Sequence, residues 1–224
     1  MGFLRVKYRF GVFCLAGCFA ANASCLLAQA ESTANLFDFH SGFWINLHHF
    51  LYRQALLSQL QKGPRSLALT RADTDELQHL SPTEREPWNA AVAYYAGSFA
   101  KRDLLFDEGL ITTKDKLEDA EASPDLTTVQ ITVELKAVLP SAAPIYRIHW
   151  WPRHDAENRE WIGHLKPLVT QYCSTLCAQT IRIYGQQWPK YPVRVDAVTY
   201  SNWAGAYTTL NPTRPAISTT DSAN

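Results

Sequence analysis

Residues 36–60 read LFDFHSGFWINLHHFLYRQALLSQL, and the apolar side chains of this segment recur close to the 3.6-residue period of an α-helix. This spacing predicts one amphipathic helix with a broad apolar face, ended by Gly63-Pro64. The apolar positions are Leu36, Phe39, Phe43, Leu47, Phe50, Leu51 and Leu57. We therefore expect the folded chain to begin with a helical layer.

The middle of the chain carries further helical signals. Ser81-Pro82-Thr83-Glu84 has the form of a capping box with proline in the first turn, and it predicts a second helix that reaches Phe99. Residues 112–120 indicate a shorter charged helix. Residues 125–139 carry both an alternating and a helical pattern, and of these we favour the helix.

Prolines in the second half predict interruptions. Pro140 and Pro144 are expected to bracket a connection, because proline lacks the amide hydrogen that a helix interior requires. A long helix is predicted from about Asp155 to Tyr184, with a kink or a break at Pro167.

Clear strand signals appear only near the C-terminal end. Residues 193–199 alternate between two faces, as a half-buried strand does. Residues 201–205 are typical of a turn into a second strand at residues 206–210, and residues 216–219 favour a third. Helices followed by a small antiparallel β-sheet give the predicted fold class, which is α+β, mainly α.

The composition is that of an ordinary globular protein. With 224 residues, of which 46% are hydrophobic and 19% charged, the chain can bury a core, and this excludes global disorder. The 21 basic and 21 acidic side chains balance, which argues against a general nucleic-acid binder. We predict a single α+β domain over residues 31–224.

Residues 1–30 have the features of a secretory signal peptide. Three basic side chains precede an apolar run at residues 10–21, and Ala28-Gln29-Ala30 supplies the small residues of a cleavage site. The run is too short to span a bilayer as a stable helix. We therefore expect an exported protein, periplasmic or secreted, that begins at Glu31.

The same segment offers a second processing route. Leu15-Ala16-Gly17-Cys18 matches the lipobox of bacterial lipoproteins, in which the cysteine is lipidated. A lipoprotein tether is usually polar, whereas Phe19-Ala20-Ala21 is apolar, so we favour cleavage after Ala30. Contact with a membrane is expected only if Cys18 is lipidated.

Removal of residues 1–30 would leave two cysteines, Cys173 and Cys177, within a helical pattern. Three states stay open, namely two buried thiols, a strained or redox-active disulfide, and a zinc pair. We favour the thiols, because cysteines at positions i and i+4 of one helix have awkward disulfide geometry. No second cysteine pair completes a zinc site.

Two groups of residues are candidates for a site. His40, His48 and His49 fall on the first predicted helix, where their spacing suits histidines at the edge of an aromatic core better than a metal site. Residues 149–155, HWWPRHD, suit either the wall of a ligand pocket or packing between helices. We take Trp150 and His154 as candidate substrate-binding residues. No catalytic motif occurs in the sequence, so no catalytic or metal-binding residue is assigned.

Five unusual strings are spread over residues 36–222. They are FWINLHHFLY at 43–52, YR at 146–147 with WWP at 150–152, WP at 188–189, YPVRVD at 191–196 and NWAGAYTT at 202–209. Together they resemble uncharacterised exported bacterial proteins that are similar to zinc metallopeptidases.

The resemblance implies a helical layer that leads into a small sheet and then into a helix bearing H-E-x-x-H. In that motif two histidines bind zinc and the glutamate activates water. This sequence ends at Asn224, where that helix would begin, so the domain is expected to be incomplete and zinc is expected only in a longer form. The strand around Ala204 to Thr209 is implied to offer a sheet edge to a peptide. Trp203 and Tyr207 are then candidate substrate-binding residues, with hairpin packing as their alternative role.

Three functional hypotheses follow. The leading one is the N-terminal portion of an exported metallopeptidase-like protein, catalytically inert as this chain stands. The alternative is a complete exported binding module that presents an aromatic pocket to an apolar or carbohydrate ligand. The partner expected under these two hypotheses is a peptide or a small molecule. A third, a lipid-anchored envelope protein, requires acylation of Cys18.

Overall fold

The structure is a computed structural model that describes residues 36–60, 68–202 and 204–220. The predicted signal peptide with its lipobox, Gly63-Pro64 and Trp203 lie outside the described residues. Residues 37–166 and 193–220 belong to one compact unit, and Leu36 with residues 167–192 belongs to another.

The described residues form six α-helices and four β-strands, so the α+β, mainly α, prediction is confirmed. None of these helices is long and apolar enough to cross a membrane. The helices are α1 (Phe43–Gln59), α2 (Arg71–His79), α3 (Pro82–Ser98), α4 (Glu108–Asp119), α5 (Val133–His149) and α6 (Trp151–Tyr184). The strands are β1 (Phe37–His40), β2 (Val193–Val198), β3 (Ala206–Leu210) and β4 (Thr213–Ser218).

The four strands form one mixed sheet in the order β1-β2-β4-β3. β1 and β4 both lie parallel to β2, and only β3 and β4 are antiparallel. We had expected a wholly antiparallel sheet at the C-terminal end. Two features make the sheet mixed. β4, rather than β3, lies beside β2 and parallel to it, and β1 joins from the other end of the described chain, where Phe37 lies opposite Val193.

The segment 36–60 is therefore not a single helix. Phe37 to His40 form β1, and α1 begins only at Phe43, after Gly42 in extended conformation. The alternation of Phe37 and Phe39 is a strand pattern, and the ladder to β2 satisfies backbone groups that a helix would otherwise pair. His40 consequently lies on a strand and not on the helix of the other two histidines.

The expected connection around Pro140 and Pro144 is also wrong, because both prolines lie inside α5. Each proline removes one backbone hydrogen bond, while the buried side chains of Leu139 and Tyr146 hold the helix against the core. α6 begins at Trp151, earlier than predicted, and it continues through Pro167.

Several local predictions are confirmed. Ser81 and Glu84 form the capping box of α3, with the Ser81 amide donating to Glu84 Oε2 at 3.0 Å. The charged helix is α4, and the three predicted strands are β2, β3 and β4. Helix α2 was not predicted.

Helix α1 forms the centre of the core. Every residue from Phe43 to Ala55 is buried, and α1 contacts α3, α4, α5 and β2. Polar side chains on this helix, among them His48, His49 and Arg53, are therefore buried as well. Buried polar groups need hydrogen-bond partners, and the partners of these groups define the candidate site.

Candidate functional site

Strand β3 forms one edge of the sheet and pairs only with β4 among the described strands. The Ser218 amide donates to the Gly205 carbonyl at 2.7 Å. Because residues of an antiparallel strand alternate in direction, Ala206 and Thr208 turn their backbone groups to the open edge. Leu210 follows the same alternation, but its carbonyl accepts from the Thr213 hydroxyl at 3.3 Å. The Asn202 side chain donates to the Ala206 carbonyl at 3.1 Å, which agrees with this assignment.

The side chains of β3 divide between two faces of the sheet. Tyr207 and Thr209 face helices α1 and α4, where the Tyr207 hydroxyl lies 2.6 Å from His49 Nε2 and the Thr209 hydroxyl donates to Asp115 at 2.7 Å. Thr208 and Leu210 lie on the other face, and Leu210 is 83% exposed. Along β3, the side chains on one face of the sheet are thus held by α1 and α4, and those on the other face are exposed.

The structure brings together two of the four predicted site residues. Trp150 and His154 are both fully buried around Asp73. Trp150 stacks on Trp88 with 4.7 Å between ring centroids, and its indole nitrogen donates to the Asp73 carbonyl at 3.4 Å. Tyr207 belongs to β3, and Trp203 lies outside the described residues.

Asp73 is the acceptor at the centre of this buried group. Its Oδ1 lies 2.9 Å from His154 Nε2 and accepts from Arg153, and its Oδ2 accepts from Thr70 at 2.7 Å and from the Tyr200 hydroxyl. We call these five residues the Asp73 cluster. Burial acts to raise the pKa of Asp73, but the hydrogen bonds from His154, Tyr200 and Thr70 outweigh it and hold the pKa well below its usual range.

Our sequence interpretation missed Asp73, although a signal was present. Thr70 and Asp73 have the spacing of a helix cap with an acid in the first turn, and Thr70 does accept from the Asp73 amide at 3.1 Å. The cap marks where α2 begins. The cap does not reveal that the Asp73 carboxylate also contacts His154 of α6 and Tyr200, which follows β2.

A second buried polar group lies between α4 and β3. Lys114 Nζ lies 2.9 Å from both Glu118 and Asp115, and it donates to the Thr209 hydroxyl at 3.1 Å. We call Lys114, Asp115, Glu118, Thr209 and the nearby Asp196 the Lys114 cluster. Burial, with the charge of Asp196 second, raises the pKa of Glu118 to about 8.

The two adjacent histidines of α1 are fully buried and do not lie at the edge of the core. His48 Nδ1 lies 2.8 Å from the Tyr95 hydroxyl, as His49 lies near that of Tyr207. Burial lowers the pKa of His48 to about 3 and that of His49 well below 6.5, so both imidazoles are neutral at pH 7. Each histidine thus pairs one ring nitrogen with a tyrosine hydroxyl, while His48 Nε2 and His49 Nδ1 are buried with no hydrogen-bond partner among the described residues.

Among the described residues, no group of three or more His, Cys, Asp or Glu is arranged to hold a metal ion. The H-E-x-x-H motif that the resemblance implies does not occur in the sequence, and we derive no catalytic step from zinc. Cys173 and Cys177 are free and buried, with 2.9 Å between their sulfur atoms. Burial and the neighbouring Cys173 raise the pKa of the Cys177 thiol to about 12.

Comparisons with known proteins supply no relative. No family model matches the sequence, and no match was found among curated protein sequences or among solved structures. The resemblance to metallopeptidases therefore depends on the five quoted strings alone.

Proposed function

We propose that this chain is the N-terminal, substrate-binding portion of an exported metallopeptidase-like protein, and that it binds an extended peptide along β3. The observation that carries the proposal is the open antiparallel edge at Ala206–Leu210. The string at 202–209 covers this strand up to Thr209, so the resemblance and the geometry concern overlapping residues.

The backbone of β3 supplies the binding groups. Thr208 turns its amide and carbonyl to the open edge, and a peptide strand that pairs there would satisfy them. At the two ends of the strand the carbonyls already accept hydrogen bonds, that of Ala206 from Asn202 and that of Leu210 from the Thr213 hydroxyl. Alternate side chains of the peptide would contact Thr208 and Leu210 on the exposed face. We expect main-chain hydrogen bonds to provide most of the affinity, so that many sequences bind.

This chain alone is proposed not to cleave the peptide. The H-E-x-x-H motif does not occur in its sequence, so the pair of zinc ligands and the general base of that motif have no counterpart here. In the proposal those residues belong to a longer form of the protein.

Substitutions at Thr208 test peptide binding. The probe is a fluorescein-labelled, end-capped nonapeptide of alternating Thr and Val with Lys at both ends, and its anisotropy is followed during titration with the full chain. Thr208→Pro removes an amide at the open edge and leaves the β4 side of the strand intact. We expect it to weaken binding about fivefold or more, as loss of one hydrogen bond implies.

Thr208→Ala is the matched control, because it removes the side chain and keeps the amide. Its affinity should stay within about twofold of the parent. Both variants are first compared with the parent by circular dichroism and thermal unfolding. Equal binding by a folded Thr208→Pro variant, or no binding by the parent, would contradict the proposal. If the proline variant does not fold, Leu210→Lys with the same peptide provides the test, since it adds a charge that should repel the peptide's terminal lysine.

Two further measurements test the rest of the proposal. Incubation of the full chain with casein and zinc should give no zinc-dependent cleavage, and cleavage would overturn the claim that this chain is inert.

Expression in a bacterium followed by intact-mass measurement should give a chain that starts at Glu31. Retention of residues 1–30 in the cytoplasm would refute export, and a lipidated Cys18 would establish the lipoprotein route instead.

The alternative hypothesis, a ligand pocket around Trp150, has less support. Trp150 and His154 expose no surface, and Trp88 covers one face of the Trp150 ring. A ligand would have to displace packed aromatic rings to reach them. A saturable change in tryptophan fluorescence on titration with an oligosaccharide would restore this hypothesis.

A further inference from the structure

Cys173 and Cys177 form a pair of thiols that peptide binding at β3 does not use. Both lie on α6, four residues apart, and their side chains are only 6% and 5% exposed. Tyr172 and Leu176, each next to a cysteine, are more than half exposed. The two thiols thus occupy one narrow, buried strip of the helix, with 2.9 Å between the sulfur atoms.

The backbone between the two thiols is regular helix, and this disfavours a disulfide. The Cβ atoms of residues four apart on a helix are about 5–6 Å from one another. A disulfide needs about 3.5–4.5 Å between the Cβ atoms. Closing the bond would therefore compress one turn of α6, which is helical without interruption from Trp151 to Tyr184.

A metal ion between the sulfur atoms fits the wider separation. Each metal–thiolate bond of about 2.3 Å adds length to the bridge, so the helix can remain regular. Donors at positions i and i+4 on one helix face are a common chelating pair. The sulfur atoms, which lie 2.9 Å apart, would separate by rotation about the Cα–Cβ bonds to admit the ion.

The number of ligands selects the class of ion. Structural zinc requires four ligands, and the described residues offer no group of three or more His, Cys, Asp or Glu for any metal. Thiolates prefer soft ions, and Cu(I) and Ag(I) form stable complexes with two thiolates alone.

We propose that Cys173 and Cys177 form a two-thiolate site for a soft monovalent cation, Cu(I) or Ag(I). Binding replaces two S–H bonds with two sulfur–metal bonds. Two protons leave to solvent, the metal keeps its oxidation state, and the bound unit carries one negative charge. The proposal does not depend on peptide binding at β3, and its test is independent of that one.

The test is an anaerobic titration of the reduced full chain with Cu(I), in competition with the chromophoric chelator bicinchoninate. The parent carries Cys14→Ser, Cys18→Ser and Cys25→Ser, so that only the α6 pair can bind. We expect one equivalent of Cu(I), and X-ray absorption of the complex should show two sulfur neighbours. Adding Cys173→Ser and Cys177→Ser should abolish binding.

A variant with the same number of thiols tests the geometry. Thr175→Cys combined with Cys177→Ser places the second thiol two residues from Cys173, on the opposite side of the helix. We expect its affinity for Cu(I) to fall at least a hundredfold. Circular dichroism must show unchanged helix content in each variant used.

Three results would overturn the proposal. They are no Cu(I) bound by the parent, equal affinity in the variant with the relocated thiol, and a parent that is isolated with its two cysteines joined in a disulfide that dithiothreitol does not open.

Discussion

The Asp73 cluster and the Lys114 cluster each bury a carboxylate completely, but the two acids respond in opposite ways. The side chains of Asp73 and Glu118 both have no exposed surface. The pKa of Asp73 lies well below its usual range, whereas that of Glu118 is raised to about 8. Burial alone raises both values, so the difference must come from the neighbours of each acid.

The neighbours differ in number and in charge. Asp73 accepts hydrogen bonds from four side chains, one of them the guanidinium of Arg153. Glu118 has Lys114 as its cationic partner, and the carboxylates of Asp196 and Asp115 oppose its ionisation. A buried acid that is surrounded by hydrogen-bond donors is thus ionised. A buried acid that is surrounded by other acids keeps its proton. Each prediction below tests one side of this difference.

The largest expected effect is that of Asp73→Asn. The substitution keeps the volume but removes the charge that Arg153 and His154 contact, and it leaves their donors poorly paired. Removal of one partner from a buried ion pair costs about 3–5 kcal/mol. We expect a loss near the lower end, because the Arg153 side chain is 32% exposed. Urea unfolding at pH 7 measures the change.

Asp75→Asn on the same helix is the control. Asp75 is 54% exposed and pairs with an exposed Arg71, so its loss should change stability by less than about 0.5 kcal/mol. A similar effect of the two substitutions would mean that the Asp73 cluster is no stronger than a surface pair.

Glu118→Gln should change how stability depends on pH. The folded pKa of about 8 lies above the usual 4.5, so the folded state keeps a proton that the unfolded state releases between these values. This contribution is fully present below pH 4.5 and is lost as the pH rises toward 8, with a slope of at most about 1.4 kcal/mol per pH unit. The Glu118→Gln variant has no such proton, so the unfolding free energy of the parent should fall relative to that of the variant as the pH rises from 5 to 8.

Glu108→Gln is the matched control on the same helix, because Glu108 is exposed in the first turn of α4. Its stability should follow the pH profile of the parent. A parent–Glu118→Gln difference that is constant with pH would show that Glu118 is ionised when folded, as Asp73 is.

The smallest effect is expected at His149, a cation between two acids that are only partly buried. Its Nδ1 lies 2.7 Å from Glu76 and its Nε2 lies 3.0 Å from Glu84. Burial lowers the pKa of His149, but the two acids raise it more, so the net shift is upward. Stability from this contact is present below pH 6.5 and is lost as the pH rises through the folded pKa. His149→Gln should cost about 1 kcal/mol at pH 6 and little at pH 9.

His79→Gln controls for the loss of an imidazole near the same Glu76, because His79 is 72% exposed and 3.8 Å from that acid. It should have almost no effect at either pH. If His149→Gln is equally costly at pH 6 and pH 9, the contribution of His149 is packing and not charge.

The sequence was sufficient where the determining contacts are local. The capping box at Ser81 needs only Glu84, three residues away, and it was identified correctly. The alternation in residues 193–198 predicts β2 because the pattern is complete within the strand. Both predictions depend on neighbours in the chain.

Predictions failed where distant residues decide. Lys114 and Glu118 lie in the segment predicted as a short charged helix, and nothing local predicts that both are buried. Thr209 and Tyr207 contact Lys114 from β3, about ninety residues later. Phe39 fits the helical period that α1 continues, yet it lies in β1, where it pairs with Val195 of β2. The periodicity of the sequence around these residues does not reveal that their partners lie in β2 and β3.

The pairing of β1 with β2 predicts an order of folding. Phe37 lies opposite Val193, so 156 residues must be available before the first strand finds its partner. The helical contacts of α1 with α3 and α4 span far shorter loops and can form earlier. A nascent or proteolysed chain that stops before residue 193 would present β1 as an unpaired strand with two phenylalanines, which is a template for aggregation between chains.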